Sequence, residues 1–150
     1  RYFPRAQVFG VDIDEACRVY AEERIEIRIG DLSQNETLES LKEIRPHIII
    51  DDASHFWSHQ LKALFTLFPA LPSGGVYILE DLETSLQPQV YSADYHDAPL
   101  DAYTAAERIT RVAASRTPCT EGPFAEEITA VGMATELVAT MLSSCIFIKR

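Results

Sequence analysis

HIIIDDASH, residues 47 to 55, decides the reading of the whole chain. Three consecutive isoleucines form a short, unbroken apolar run, the pattern of a strand covered on both faces, as in a parallel sheet. That strand runs straight into Asp51 and Asp52, and then reaches His55 after two small residues. Adjacent carboxylates repel, and burying either is costly unless a cation or hydrogen-bond donors compensate. Something positive is therefore expected at the end of this strand.

Similar runs recur on both sides of it: VFGVDI at 8 to 13, IEIRI at 25 to 29 and GVYILE at 75 to 80. Helix-like stretches separate them, and this alternation is the signature of βαβ units around a parallel sheet. Helices are expected over 14 to 23, over 35 to 44 with Asn35 as cap and Pro46 as stop, and over 60 to 71, where apolar residues fall at 61, 64, 65, 68 and 71. PSGG at 72 to 75 ends the last of these. Residues 86 to 99 are rich in Tyr, Pro and Asp without a period, and read as an active-site loop or lid. A helix over 101 to 115 and a turn over 117 to 122 follow. The remaining segment, from EEIT onward, is expected as a strand, an ambiguous connection and a last strand at 145 to 149.

Composition narrows the function classes. The 150 residues, 47% of them apolar, suit one domain with a sizeable core. Thirteen Lys and Arg against 23 Asp and Glu give a formal charge of -10, which excludes phosphate-backbone recognition and hence nucleic acid as a partner. Cys17, Cys119 and Cys145 are too few and too scattered for a disulfide framework, so reduced thiols in a cytoplasmic protein are expected. No apolar run approaches the roughly 18 residues of a membrane helix. The opening RYFPRAQ reads as the tail of a helix-to-strand connection, so residues 1 to 150 are expected to be a single domain lacking its amino-terminal part.

Every expected strand ends in acid: Asp12, Asp31, Asp51 with Asp52, and Glu80 with Asp81. In an open parallel sheet, ligands collect at the carboxyl ends of the strands. Any one of these residues could be a helix cap, but four strands sharing the feature point to a site. Asp52, Glu80 and Asp81 would meet on neighbouring strands, an oxygen donor set suited to Mg²⁺ or Mn²⁺ and unlike the N and S ligands that Zn²⁺ prefers. A competing zinc set would use Asp52, His55 and His59, but no further N or S donor is placed by the sequence. His59 is expected to be a solvated helix residue. His55, at a strand-to-helix turn, has the near-neutral pKa of a general base, its alternative being a capping or surface histidine.

Taken together, VFGVDID, IGD, IIIDDASH and GGVYILEDLETS resemble the metal-dependent sugar O-methyltransferases of macrolide biosynthesis, the mycinamicin and tylosin type, and the related cephalosporin-biosynthesis proteins. The resemblance covers roughly residues 3 to 88. It implies a Rossmann-like class I methyltransferase fold, mostly parallel with an antiparallel C-terminal strand. It also implies an S-adenosylmethionine- and Mg²⁺-dependent (or Mn²⁺-dependent) enzyme that methylates a sugar hydroxyl of a glycosylated small molecule. By the same resemblance Asp12 matches the acid that binds the ribose of S-adenosylmethionine, Asp31 a residue at its adenine end, Asp52, Glu80 and Asp81 the metal ligands, and His55 the base.

Ala53 stands where the family usually has Gly, and Leu32 where Gln is common. The strand and Gly-rich loop that open the class I fold do not precede Asp12, and Gly74 and Gly75 cannot replace them because they lead into a strand. In the family's strand order, 3-2-1-4-5-7-6, the missing strand is central, so a gap is expected between the strands at 8 to 12 and 47 to 51. Two other readings compete. One is a non-catalytic remnant serving as an interaction module. The other is a haloacid-dehalogenase-type phosphohydrolase, although Asp12-Ile-Asp14-Glu15-Ala16 departs from that class's D-x-D-G-T. A homo-oligomer is compatible with all of this.

Overall fold

The structure is a computed structural model that describes residues 3 to 150, so the first two residues of RYFPRAQ lie outside the described residues. Among the described residues six strands and five α-helices follow one another: β1 (Val8–Asp12), β2 (Ile25–Ile29), α1 (Asn35–Lys42), β3 (Ile48–Asp51), α2 (Trp57–Leu67), β4 (Val76–Leu79), α3 (Glu83–Leu86), α4 (Ala102–Ser115), α5 (Ala125–Met133), β5 (Thr135–Thr140) and β6 (Cys145–Lys149). β1 pairs with β2, and β3 with β4, both in parallel. β6 runs antiparallel to β4 on one side and to β5 on the other, which gives the order β3-β4-β6-β5. The expected antiparallel C-terminal strand is there.

The strands do not form one continuous sheet, as the sequence had suggested, but two, β1-β2 and β3-β4-β6-β5, so that β1 and β3 are not paired. Among the described residues neither β1 nor β3 has a second partner. One face of β3 is left uncovered, with Ile48 52% and Ile50 62% exposed. The isoleucine run was therefore correctly read as a strand, but only one of its faces is covered.

That other face meets the core. α2 buries Leu61, Ala63, Leu64 and Leu67, and α4 buries Ala105, Ala106, Ile109 and Val112, each set at the three- and four-residue spacing of one helix face. Tyr77 of β4 and Phe147 of β6, directly opposite each other in the ladder, are fully buried, and Phe68 meets Phe147 edge-on at 6.2 Å. α5 approaches α4 so closely that a Cβ at Gly132 would come within 2.6 Å of Val112, so only glycine fits there.

Two elements differ from expectation. Residues 14 to 23 form only a short 3₁₀ turn, Glu15–Tyr20, capped by the Asp14 carboxylate on the Ala16 N–H; it buries nothing, and so has no packing to extend it. The segment from EEIT onward begins as the helix α5 and not as a strand. Ile128 and Val131 fall three apart on its buried face, and Glu126 and Glu127 suit the positive end of a helix. The Asn35 cap is also displaced: the N-cap is Gln34, which makes no side-chain bond.

Candidate active site

Parallel pairing of β3 and β4 places Asp51 opposite Leu79, so Asp52 and the Glu80-Asp81 pair leave neighbouring strands at the same sheet edge. The two adjacent aspartates separate by strand alternation. Asp51 turns inward, where the Tyr77 hydroxyl, two residues back on the same face of β4, donates to it at 2.6 Å. Burial pushes the Asp51 carboxyl up to about 6, against the opposing pull of the Tyr77 hydrogen bond and of His55. Asp52 turns outward and is exposed.

There it meets His55 and Asp81. One ligand atom from each of Asp52, His55 and Asp81 lies within 4.8 Å of the others, and His55 Nε2 is 3.4 Å from an Asp81 carboxylate oxygen. Both His55 (φ 59°) and Asp81 (φ 52°) adopt left-handed backbone conformations, which for a residue with a Cβ cost about 1 to 2 kcal/mol each. The surroundings hold them in place. The Glu80 N–H donates to the Asp51 carbonyl, the Leu82 N–H to the Ser143 carbonyl, and the buried Thr84 hydroxyl to the His55 carbonyl. Strain retained by such a frame is characteristic of functional sites. His55 Nδ1 is buried without a hydrogen-bond partner.

Glu80 does not join this group. Its backbone extends the β3–β4 ladder, its carbonyl accepts from the buried Gln60 side chain at 3.1 Å, and its carboxylate lies outside the cluster of Asp52, His55 and Asp81. His59 is not the solvated residue expected: it is half-buried, and its Nδ1 is 2.7 Å from the Ser54 hydroxyl. It is absent from the cluster too, which leaves the zinc set of Asp52, His55 and His59 unassembled.

Asp12 and Asp31 stand at the carboxyl ends of β1 and β2, and each braces its own turn. Asp12 accepts from the Asp14 N–H and Asp31 from the Ser33 N–H, both at 2.8 Å. These backbone donors, aided by the Cys17 thiol at Asp12 and the Ser33 hydroxyl at Asp31, hold both carboxyls below the usual range, so both are ionised at neutral pH. Neither belongs to the group around His55.

Sequence reasoning missed the residues that support this edge. Tyr77 was visible only as a strand residue, and its pairing with Asp51 needs the register. Gln60 and Thr84, both buried, carried no signal in the sequence that set them apart. Residues 86 to 99 are largely irregular and bring Tyr91 and Tyr95 beside His55 and Asp81, but how this segment is anchored was not legible. Tyr95 packs on Phe56 with ring centroids 5.0 Å apart, His96 stacks on Trp57 at 4.4 Å, and Asp97 accepts from the Ser58 N–H at 2.9 Å and from the Ser58 hydroxyl. No helix among the described residues is long and apolar enough to cross a membrane.

No family model matches the chain. Curated relatives do. The 8-demethyl-8-alpha-L-rhamnosyl tetracenomycin-C 2'-O-methyltransferase of Streptomyces olivaceus is 43% identical over 95 residues, which is 62% of this chain and 25% of that protein. The L-olivosyl-oleandolide 3-O-methyltransferase of Streptomyces antibioticus is 37% identical over 93 residues, 59% of this chain and 23% of that one. The mycinamicin VI 2''-O-methyltransferase of Micromonospora griseorubida is 37% identical over 89 residues, 58% and 22%. The chain thus spans about a quarter of the length of the curated relatives it matches.

Among solved structures, the MycE methyltransferase of the mycinamycin biosynthetic pathway, in complex with Mg, SAH and mycinamycin VI, matches 99% of this chain and 37% of its own with a TM-score of 0.78 at 24% identity, a likeness of fold. A second crystal form of the same protein with Mg and SAH gives a TM-score of 0.79, covering 99% of this chain and 38% of that one at 25% identity. The chain is therefore related in sequence to the sugar O-methyltransferases of the macrolide and tetracenomycin pathways, and has the fold of a class I methyltransferase.

Proposed function

We propose that this chain forms the site-bearing part of an S-adenosylmethionine- and Mg²⁺-dependent O-methyltransferase that acts on a sugar hydroxyl of a glycosylated natural product. The observation that supports it is the convergence of Asp52, His55 and Asp81 at adjacent parallel strand ends. Two exposed carboxylates beside an imidazole, with His55 and Asp81 held in strained conformations, suit a hard divalent ion with open positions. In this reading Asp52 and Asp81 hold the metal, and Glu80 is the third carboxylate, drawn in once a cation offsets the repulsion between them. Bound Mg²⁺ supplies Lewis acidity that lowers the pKa of the sugar hydroxyl, and S-adenosylmethionine supplies the methyl group.

His55 takes the hydroxyl proton at Nε2, the ring nitrogen that faces Asp81. Thr84, bonded to the His55 carbonyl, holds the backbone of the turn that carries the imidazole. Asp12 and Asp31, ionised at the ends of β1 and β2, are the partners for the ribose hydroxyls and the adenine end of the methyl donor. The free thiols Cys17, Cys119 and Cys145 suit a cytoplasmic site of action.

Separate variants test the two roles. His55→Ala is expected to lower turnover of a glycosylated acceptor by about 10²- to 10⁴-fold, the usual loss with a general base, while Mn²⁺ affinity stays close to wild type. Asp52→Asn and Asp81→Asn are expected to weaken Mn²⁺ binding by more than about tenfold, more than 1.4 kcal/mol. Near-full turnover in His55→Ala would remove its role as base. A loss of Mn²⁺ affinity in His55→Ala equal to that in Asp52→Asn would make the imidazole a ligand instead.

A further inference from the structure

The edge that carries His55 and Asp81 opens into a small cleft of about 130 Å³, lined by His55, Asp81, Glu83, Thr84, Tyr91 and Tyr95. One side is charged and polar, the other aromatic. Tyr91 and Tyr95 stand perpendicular, their planes at 89° and centroids 6.3 Å apart, so that one ring can form a floor and the other a wall. The volume is small against the roughly 300 to 1,000 Å³ of sites that swallow a drug-sized ligand. It has room for one ring of a larger molecule and leaves the remainder outside.

The aromatic side is not a loose loop lying over the site by chance. Three successive residues of the loop, Tyr95, His96 and Asp97, meet three successive residues at the start of α2, Phe56, Trp57 and Ser58, in the same order. Phe56 directly follows His55 in the chain. The position of Tyr95 is therefore tied, through one aromatic contact and one peptide bond, to the imidazole across the cleft. A helix N-cap without a side-chain cap of its own, Phe56, gains one from Asp97, which pins the loop to the helix start.

We infer that Tyr91 and Tyr95 form the binding wall for the pyranose ring of the acceptor, with the C–H face of the sugar against the aromatic rings and its hydroxyl edge toward His55 and Asp81. This assignment rests on the function proposed above. The chemistry is complementary on both sides. A pyranose has a face of slightly positive C–H groups that suits the negative face of an aromatic ring, and an edge of hydroxyls that suits carboxylate and imidazole acceptors. Glu83, on the polar side of the cleft, is placed to accept from a neighbouring hydroxyl. The aromatic wall selects the ring, and the polar edge selects the hydroxyl.

The test is a titration of methyl α-L-rhamnopyranoside, with and without Mn²⁺, followed by proton NMR of the sugar, in the wild type, Tyr95→Phe, Tyr95→Ala and Tyr91→Ala. Stacking on a ring face moves the sugar C–H resonances upfield, a signature that a merely structural role for the tyrosines does not produce. Wild type and Tyr95→Phe are expected to show that shift with similar affinity, since the ring and not its hydroxyl makes the contact. Tyr95→Ala is expected to lose the shift and about tenfold in affinity, and Tyr91→Ala somewhat less. Mn²⁺ binding, followed by electron paramagnetic resonance, should be unchanged in all four and reports that each is folded at the site. An unaltered upfield shift in Tyr95→Ala, or a wild type that binds Mn²⁺ but shifts no sugar resonance, overturns the wall and leaves the metal reading standing. A wild type that shifts the sugar but binds no Mn²⁺ supports the wall and overturns the metal reading.

Discussion

The two sheets of this protein are built from similar sequence and have very different support. β3, β4, β5 and β6 lie against α2, α4 and α5, and nearly all of the fully buried side chains belong to this half: Tyr77, Phe147, Leu64 and Ile109 have no more than 1% of their surface exposed. β1 and β2 are also rich in apolar residues, yet no residue of either strand is fully buried, and from residues 3 to 34 only Val11 and Leu32 reach the core. Hydrophobic stabilisation follows area removed from water, so apolar content alone does not make a strand part of the core. The half that carries His55 and Asp81 is the densely packed one; the half that carries Asp12 and Asp31 meets the core at few points.

The largest effect expected from this difference is on stability. Phe147→Ala, which opens a cavity under β4 and α2, should cost about 3 to 5 kcal/mol. Ile27→Ala, on the half-buried β2, should cost about 1 kcal/mol. Urea unfolding followed by far-UV circular dichroism measures both, and native-state hydrogen exchange should show the amides of β1 and β2 opening well before those of β4 and β6. Equal losses from the two substitutions would mean that the sheets unfold as one unit and would break the comparison.

Charge sharpens it, because carboxylates in the two halves act on stability with opposite sign. Asp51 has its folded pKa raised from the ordinary 3.8 to about 6 by burial. Between those values the native state keeps a proton that the unfolded chain has released, so stability falls as pH rises through this window and is flat above it. The span corresponds to about 3 kcal/mol at most. Asp51→Asn keeps an acceptor for the Tyr77 hydroxyl and removes the titration, so the variant should gain on the wild type between pH 4 and 7. Asp12 and Asp31, held low by backbone N–H groups, do the reverse: their contribution is present above the unfolded pKa and is lost as pH falls through the folded one. Parallel stability profiles for wild type and Asp51→Asn would mean that the Asp51 carboxyl is not desolvated.

How much of this was legible beforehand depends on what set each feature. The strand order and the lack of pairing between β1 and β3 followed from the placing of β1 to β4 by apolar runs and acidic ends, together with the resemblance. The site edge followed because parallel strands must deliver their ends to one side. Asp51 and Asp52 looked alike in the sequence and have opposite fates, since strand alternation sends one to Tyr77 and the other to His55. α5 was misread because short apolar segments with β-branched residues fit either period, and only packing on α4 decides between them. The 3₁₀ turn after β1 fell short of a helix for the complementary reason: Val19 and Tyr20 are 78% and 68% exposed and have nothing to pack on. What the sequence could not supply at all were contacts made by loops, because these depend on register and not on periodicity.

The contact of Asp97 with Ser58 is of that kind, and it gives the smallest and most local prediction. α2 starts without a capping side chain of its own, so its first turn relies on a carboxylate from a loop 39 residues away. Asp97→Ala removes both bonds to Ser58 and should cost about 1 kcal/mol, the usual value of an N-cap. The loss should be smaller than that from Phe147→Ala and should not spread to the core. Its more telling consequence is positional. Without the anchor, Tyr95 and His96 keep only ring contacts with Phe56 and Trp57, and the fluorescence of Trp57, the single tryptophan of the chain, should change as His96 leaves its face. Asp97→Asn, which retains one acceptor for the Ser58 N–H, should restore most of the signal and part of the stability. If Asp97→Ala left Trp57 fluorescence and the urea midpoint as in the wild type, the loop would be held by its aromatic contacts alone.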